Sequence, residues 1–240
     1  MNARLKFGLI TLSAVLTIVA TLMLGRWQLH RAEQKEAIQS KLERQGELPQ
    51  LEGRTVISSD DPGALMQRKV FVRGRWLADK TIFLDNRPMA GRQGLYVVTP
   101  LELEDGQTVV LVQRGWVPRN FMDRSLVPVI GTPGDSVTVG GRIAPPPGKL
   151  YEFAATESGL IRQNLNIKSF SAEIGAPLQL WTIQQLGADS DGMSRQWPVV
   201  VAGIEKHYGY AFQWFALSAL IAILYVWFQI VRRFIFHKRT

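Results

Sequence analysis

Hydrophobic and polar positions alternate in three different ways along this chain. Phe7 to Leu24 is a run of 18 residues without a charge, and Tyr208 to Val231 is a second run of 24. A bilayer core of roughly 30 Å takes about 20 apolar residues as helix, so each run is long enough to span. Behind the first run, Trp27 to Gln45 holds neither Gly nor Pro and is rich in Ala, Glu, Gln, Lys and Leu, all good helix formers. Trp27, Ala37, Ile38 and Leu42 give it a partial apolar stripe, and Gly46 and Pro49 end it. Residues 7–45 are therefore expected to form one helix or two nearly continuous ones. The pattern then shifts to period two. In residues 69–77, Val70, Val72 and Trp76 alternate with Lys69, Arg73 and Arg75, and residues 81–85, 94–102, 107–113, 136–143 and 178–184 read likewise as strands. Asp105-Gly106 is a hairpin signal between two of them, and a short helix is expected around 168–174. Val70, Val72, Trp76, Val110, Val112, Val137 and Val139 are the expected core.

Charge turns the two runs into a topology. Arg4 and Lys6 precede the first; Arg232, Arg233, Lys238 and Arg239 follow the second. The first span is ambiguous by itself, since Arg26, Arg31 and Lys35 follow it, but the second has little in front beyond Lys206. Both termini are thus expected in the cytoplasm. The organisation predicted is a cytoplasmic N-terminus over 1–6, a transmembrane helix over 7–24 and a helical extension over 25–46. A periplasmic β-rich domain over 47–206, a transmembrane helix over 207–231 and a basic cytoplasmic tail over 232–240 complete it. The fold class is membrane α+β, with two transmembrane helices flanking an antiparallel β-barrel or sandwich-like domain. A cleaved signal peptide is the alternative for the first run, which is long for one and lacks a small-x-small cleavage site.

The same placement reduces the net charge of +8 to topology. Between residues 25 and 206, 22 basic residues face 20 acidic ones, an excess of two, so no nucleic-acid partner is implied. The absence of cysteine removes disulfides, thiol nucleophiles, thiolate metal sites and lipid acylation at cysteine. The three histidines, His30, His207 and His237, all lie outside the predicted strands, so no Ser–His–Asp arrangement can be built there. No nucleotide or metalloprotease motif is present, and no enzyme activity is expected.

His207 is the candidate of interest. On a helix it shares a face with Tyr210, Ala211 and Trp214 at the mouth of the second run. Two explanations stand for an imidazole there. It belongs to an interfacial aromatic belt, or it is an axial ligand for a flat apolar cofactor, with aromatic rings covering the macrocycle and Arg26, Arg31 or Lys206 near its acidic groups. Gln213, Trp27 and Gln28 read most simply as helix contacts and interface anchors. Arg114-Gly115-Trp116 reads as a strand exit, and Asn86-Arg87-Pro88 with Gly91-Arg92 as a donor-rich turn.

Four motifs in order carry a resemblance. Gly25 to Arg31 (GRWQLHR) follows the first run, then come Gly94 to Leu101 (GLYVVTPL) and Leu111 to Pro118 (LVQRGWVP). His207 to Phe215 (HYGYAFQWF) opens the second run. The chain resembles the Surf1/Shy1 family (surfeit locus protein one) of cytochrome c oxidase assembly factors over nearly its whole length. One departure is Gln113, where the family pattern has Asn. The resemblance implies an inner-membrane protein that assists haem–copper oxidase assembly. It also implies haem a as cofactor, with His207 as iron ligand and Trp214 implicated beside it; Tyr210, Trp27, Arg26 and Arg31 are the further candidate contacts. Implied partners are the cytochrome c oxidase catalytic subunit, other assembly or haem-synthesis proteins, and membrane lipid. With six residues ahead of the first run, a bacterial inner membrane is the expected location. A scaffold without cofactor is the alternative, and an enzyme acting on lipid or haem a third.

Overall fold

The computed structural model describes residues 3–59, 61–150, 158–198 and 203–232. Its elements in chain order are α1 (Ala3–Glu47), β1 (Leu51–Glu52), α2 (Gly53–Ile57), β2 (Lys69–Trp76), β3 (Ile82–Met89) and β4 (Arg92–Leu103). They continue as β5 (Val109–Pro118), β6 (Val137–Ala144), β7 (Ile161–Arg162), α3 (Ile167–Ile174), β8 (Leu178–Gln185) and α4 (Ile204–Tyr225), which runs on as a π-helical turn, Val226–Val231. They fall into two units, Met1–Ser40 with Val199–Thr240, and Lys41–Pro198. Residues 233–240, which carry Arg233, Lys238 and Arg239 of the expected basic tail, lie outside the described residues.

In the first unit α1 is a single unbroken helix, and it and α4 are both long and apolar enough to cross a membrane. Neither is a soluble core helix, because their apolar side chains are mostly exposed. Among the less exposed positions of α1, residues 7, 11, 14, 18, 21, 25, 28, 32, 35 and 39 form a series of alternating steps of four and three, with Leu29 beside it; on α4 His207, Ala211, Trp214, Ser218, Ile221 and Tyr225 do the same, with Phe215 and Ala222 beside them. That spacing is the seam of a two-helix coiled coil. The two helices are antiparallel: Gln28 bonds His207, and Thr11 Oγ1 lies 2.9 Å from the Tyr225 hydroxyl. The most buried seam positions are small or polar: Thr21, Gly25, Ala32, Ala211 and Ser218. A Cβ at Gly25 would stand 2.7 Å from the Phe215 ring, so this glycine is what lets the helices approach. The expected stripe of Trp27, Ala37, Ile38 and Leu42 is not this seam; Trp27, Ala37 and Ile38 are exposed.

The second unit is a closed five-stranded barrel. The ring runs β2-β6-β8-β5-β4, and Gly74–Trp76 of β2 pairing with Leu101–Leu103 of β4 closes it. Strands that alternate direction cannot close a ring of odd number, so one pair has to be parallel. That pair is β5 with β8, where Val112 and Ile183 are in register. The expectation of an antiparallel barrel or sandwich is corrected in this respect: the architecture is a barrel, and the crossover through α3 returns the chain parallel to β5. β2 alternates exposed and buried along its whole length, as its sequence does. Its inward side chains Val70, Val72 and Trp76 pack with Leu101, Val110, Val112, Val139, Ile143, Trp181 and Ile183. Val137 is only partly buried. At the closure a Cβ on Gly74 would lie 2.1 Å from the Glu102 carbonyl oxygen, so the two backbones meet only because that side chain is absent.

Outside the ring, β3 pairs with β4, and α3 covers Ile82, Leu84, Val98 and Leu111 with Ile167 and Phe170. The Asn166 side chain caps α3 by accepting from the Lys168 and Ser169 amides. The β4–β5 turn is clamped by Asp105, whose carboxylate accepts from the Gln107 and Thr108 amides and from the Thr108 hydroxyl at 2.6 Å. Gly106 supplies the positive φ of 67° that the turn requires.

Candidate functional site

His207 sits in the first turn of α4, half-buried, at a seam position. Its Nδ1 is 2.7 Å from Gln28 Oε1. With the carboxamide oxygen toward the ring, the contact is a hydrogen bond in the tautomer whose Nδ1 donates, and in that tautomer Nε2 keeps its lone pair. Among the described residues Nε2 has no hydrogen-bond partner. This is an imidazole held by one nitrogen with the other presented.

The helical register sorts the remaining candidates. At about 100° per residue, Trp27 and Arg31 lie on one side of Gln28, while Leu29 and Glu36 lie on the other. On α4, Tyr210 lies to one side of His207 and Tyr208 to the other. The Tyr208 hydroxyl donates to Glu36 at 2.9 Å, which fixes which flanks meet. Trp27 and Arg31 therefore share a flank with Tyr210, and Trp214 lies in the seam two turns further along α4 than His207. Tyr210 is 52% exposed and Trp27 54%, and Trp214 is half-buried, so the flank is apolar, aromatic and open. Arg31 is exposed and donates to Gln34. Arg26 is on the far side of α1, away from this flank. His30 also points away from the seam, exposed, against Gln34 at 2.9 Å and Glu33 at 3.6 Å. The contact that joins the two helices at this end is Gln28 to His207; by helical register Trp27, Arg31 and Tyr210 fall on one flank of it and Arg26 on the opposite side of α1. Gln28, read from sequence as an interface anchor that comes near His207 if the outer ends of the two runs pack together, is found against the imidazole.

No cluster of three or more metal-ligating side chains occurs among the described residues. A macrocycle that brings four nitrogens of its own to iron needs only an axial ligand, and an imidazole bonded at one nitrogen, on helices that also carry Trp27, Arg31, Tyr210 and Trp214, fits that demand.

The barrel holds buried cations instead. Arg114, expected at a strand exit, lies within β5 and is 3% exposed. Its guanidinium stacks on Trp76 at 4.7 Å and donates to the Gly131 carbonyl and the Thr132 hydroxyl, both at 2.7 Å. Arg87, expected in a turn, is buried in β3 and donates to the Gly148 and Gln163 carbonyls. Burial pushes both guanidinium pKa values down from their ordinary range. Their acceptors are backbone and hydroxyl oxygens of loops, so these arginines fasten loops to the barrel wall. Gln113 is buried between strands and donates to Thr182 Oγ1 at 2.8 Å, tying β5 to β8.

Fold and site together define a class: a chain with one five-stranded barrel and two antiparallel apolar helices compatible with membrane anchoring, with an imidazole bonded at the helix seam. A sequence model of the SURF1 family matches residues 15–219. The chain belongs to the SURF1 family. A SURF1-like protein of Rickettsia felis is 26% identical over 224 residues, covering 90% of this chain and 94% of that one. A SURF1-like protein of Drosophila melanogaster is 28% identical over 242 residues, covering 89% and 75%. Surfeit locus protein 1 of Arabidopsis thaliana is 33% identical over 119 residues, 44% of this chain and 32% of that one.

Proposed function

We propose that this chain is a cytochrome c oxidase assembly factor that binds haem a through His207 and assists its insertion into the catalytic subunit. One observation carries the reading: His207 is bonded at Nδ1 by Gln28 across the helix pair, and no partner is recorded for Nε2 among the described residues. Imidazole is a haem ligand, aromatic rings cover a porphyrin face, and a guanidinium meets a propionate. Arg31 takes that last role; Arg26 lies on the wrong side of α1. The role is storage and delivery, not turnover. Partners are the catalytic subunit, haem-synthesis and other assembly proteins, and lipid.

The basic flanks of the two apolar runs support insertion in a bacterial inner membrane with both termini cytoplasmic and the barrel in the periplasm. A reporter active only in the periplasm, fused after Thr240, is expected to be silent, and activity there overturns the orientation.

The cofactor is tested by an absorption spectrum of protein purified from cells that make haem a. Wild type is expected to carry the pigment, His207→Ala to lose it, and His30→Ala to keep most of it. The same hydrogen bond also serves as interhelical glue, and that favours the scaffold reading in which no cofactor binds. A colourless wild type decides for the scaffold, and full pigment in His207→Ala removes His207 as the ligand.

A further inference from the structure

We infer that Gln28 is a positioning residue: it fixes the His207 tautomer, and so makes the ligand nitrogen of one helix depend on its packing against the other. The inference rests on the haem reading above and adds a role for a residue on the opposite helix. Its basis is a 2.7 Å contact between a half-buried carboxamide and a half-buried imidazole, 179 positions apart in sequence. Two wirings of such a contact exist. If the amide oxygen faces the ring, Nδ1 is protonated and Nε2 is a free donor of electrons. If the amide is reversed, its NH2 donates to Nδ1, the ring proton moves to Nε2, and the ligand is blocked. The structure has the first arrangement. Iron-ligating and zinc-ligating histidines commonly donate the second ring nitrogen to a carbonyl or carboxylate, which sets tautomer, ring plane and basicity.

The surroundings explain how Gln28 can reach. Its seam neighbours on α1 are Gly25 and Ala32, both buried and small, and Ala211 is the buried residue one turn beyond His207. Small residues above and below let the backbones close up, and only then does a glutamine span the gap. A bulky residue at Gly25 would push against Phe215 and lengthen the contact. The tautomer is thus a report on helix pairing: separating the helices frees the imidazole to protonate at either nitrogen. A partner that pries α1 from α4 would weaken iron ligation without touching the iron.

The test uses the full chain in lipid nanodiscs with ring-15N histidine. Only three histidines are present, and His207→Ala identifies the signal. Without haem, wild type is expected to show His207 protonated at Nδ1. Gln28→Leu keeps the bulk but removes the acceptor; its proton is expected at Nε2, with haem a bound about 10- to 100-fold more weakly. Gln28→Glu restores an acceptor, so it should recover the Nδ1 tautomer and the pigment, with a lower midpoint potential of the bound iron than wild type. A purely structural glutamine would predict no rescue pattern in tautomer and potential. A wild-type proton on Nε2 overturns the inference, as does a Gln28→Leu protein with unchanged tautomer and haem affinity. If Gln28→Leu does not accumulate, the wild-type tautomer and the potential of Gln28→Glu decide. Haem retained by His207→Ala strikes the cofactor reading instead, a result separable from the tautomer measurement.

Discussion

The helix pair and the barrel bury opposite things. In the barrel, the interior is filled by Val70, Trp76, Leu101, Val110, Ile143, Trp181 and Ile183, and the outward positions of β2 are Lys69, Phe71, Arg73 and Arg75. In the helix pair, the buried positions are Thr21, Gly25, Ala32, Ala211 and Ser218, while Leu16, Met23, Phe212 and Ile223 are exposed. Burial of apolar surface drives the first arrangement, since water is the solvent being escaped. No such force operates between helices whose surroundings are as apolar as leucine; close approach and hydrogen bonds hold them instead. The inverted pattern in α1 and α4 is compatible with membrane anchoring, and it leaves polar groups such as Gln28 and His207 where the helices meet. Thr11, Thr17 and Thr21 return their hydroxyls to carbonyls of the preceding turn, which also suits a medium without water.

The sharpest way to break this comparison is to remove a large side chain from the barrel. Trp76 is 7% exposed and also carries the Arg114 guanidinium on its face. Trp76→Ala is expected to destabilise the barrel by about 3–5 kcal/mol. Chemical denaturation followed by near-ultraviolet circular dichroism on the full chain measures it. A loss under about 1 kcal/mol would mean the interior is not packed as described.

The same substitution made in both regions sharpens the contrast. Gly74→Ala places a methyl 2.1 Å from the Glu102 carbonyl oxygen, and a backbone at a barrel closure has nowhere to go. Overpacking of that kind is expected to cost about 1–3 kcal/mol or more. Gly25→Ala meets only the edge of the Phe215 ring, a half-buried side chain that can rotate. Alanine is also the better helix former by about 1 kcal/mol, so the net change is expected within about 1 kcal/mol of zero. Thermal unfolding of the two variants compares them directly. Equal losses would show that the helix seam is as rigid as the barrel.

These glycines also mark where the sequence was legible and where it was not. The strands were readable because β2 and its neighbours alternate, and Asp105-Gly106 announced its turn. The parallel pairing of β5 with β8 was not: it follows from closing five strands into a ring, a global constraint that no local window contains. Arg114 read as part of a strand exit and Arg87 as part of a donor-rich turn, since nothing in RGW or NRP shows that the acceptors include the carbonyls of Gly131, Gly148 and Gln163. At the helix seam, Thr21 and Gly25 stand in or beside a uniformly apolar run, where small residues make no hydropathy contrast. The eye went to Trp27 and Ile38, which face outward. His207 stood out because an imidazole is conspicuous there, and the expectation that the outer ends of the two runs pack together already placed Gln28 near it; the atoms that meet come from the structure.

The smallest expected effect lies wholly on the barrel side, at the β4–β5 turn. The Thr108 hydroxyl, followed by the amides of Thr108 and Gln107, holds the Asp105 carboxyl below the ordinary carboxylate range. A group whose folded pKa is depressed contributes stability above its unfolded value, about 3.9 for Asp, and loses it as pH falls through the folded value. The clamp is therefore fully present at neutral pH and fades below about pH 4. Asp105 is exposed, so the contribution is small, and it is best read as a difference between two proteins. Asp105→Asn keeps an oxygen for the two amides but cannot ionise. Urea unfolding of both across the acid range should show wild type the more stable by a constant margin at neutral pH, with the gap closing below about pH 4. Glu173 supplies the control, because Arg162 lowers its pKa through a paired hydrogen bond, and Glu173→Gln should behave with the same sign. A gap that widens in acid would mean that the carboxylate strains the turn, and that Gly106 alone sets its geometry.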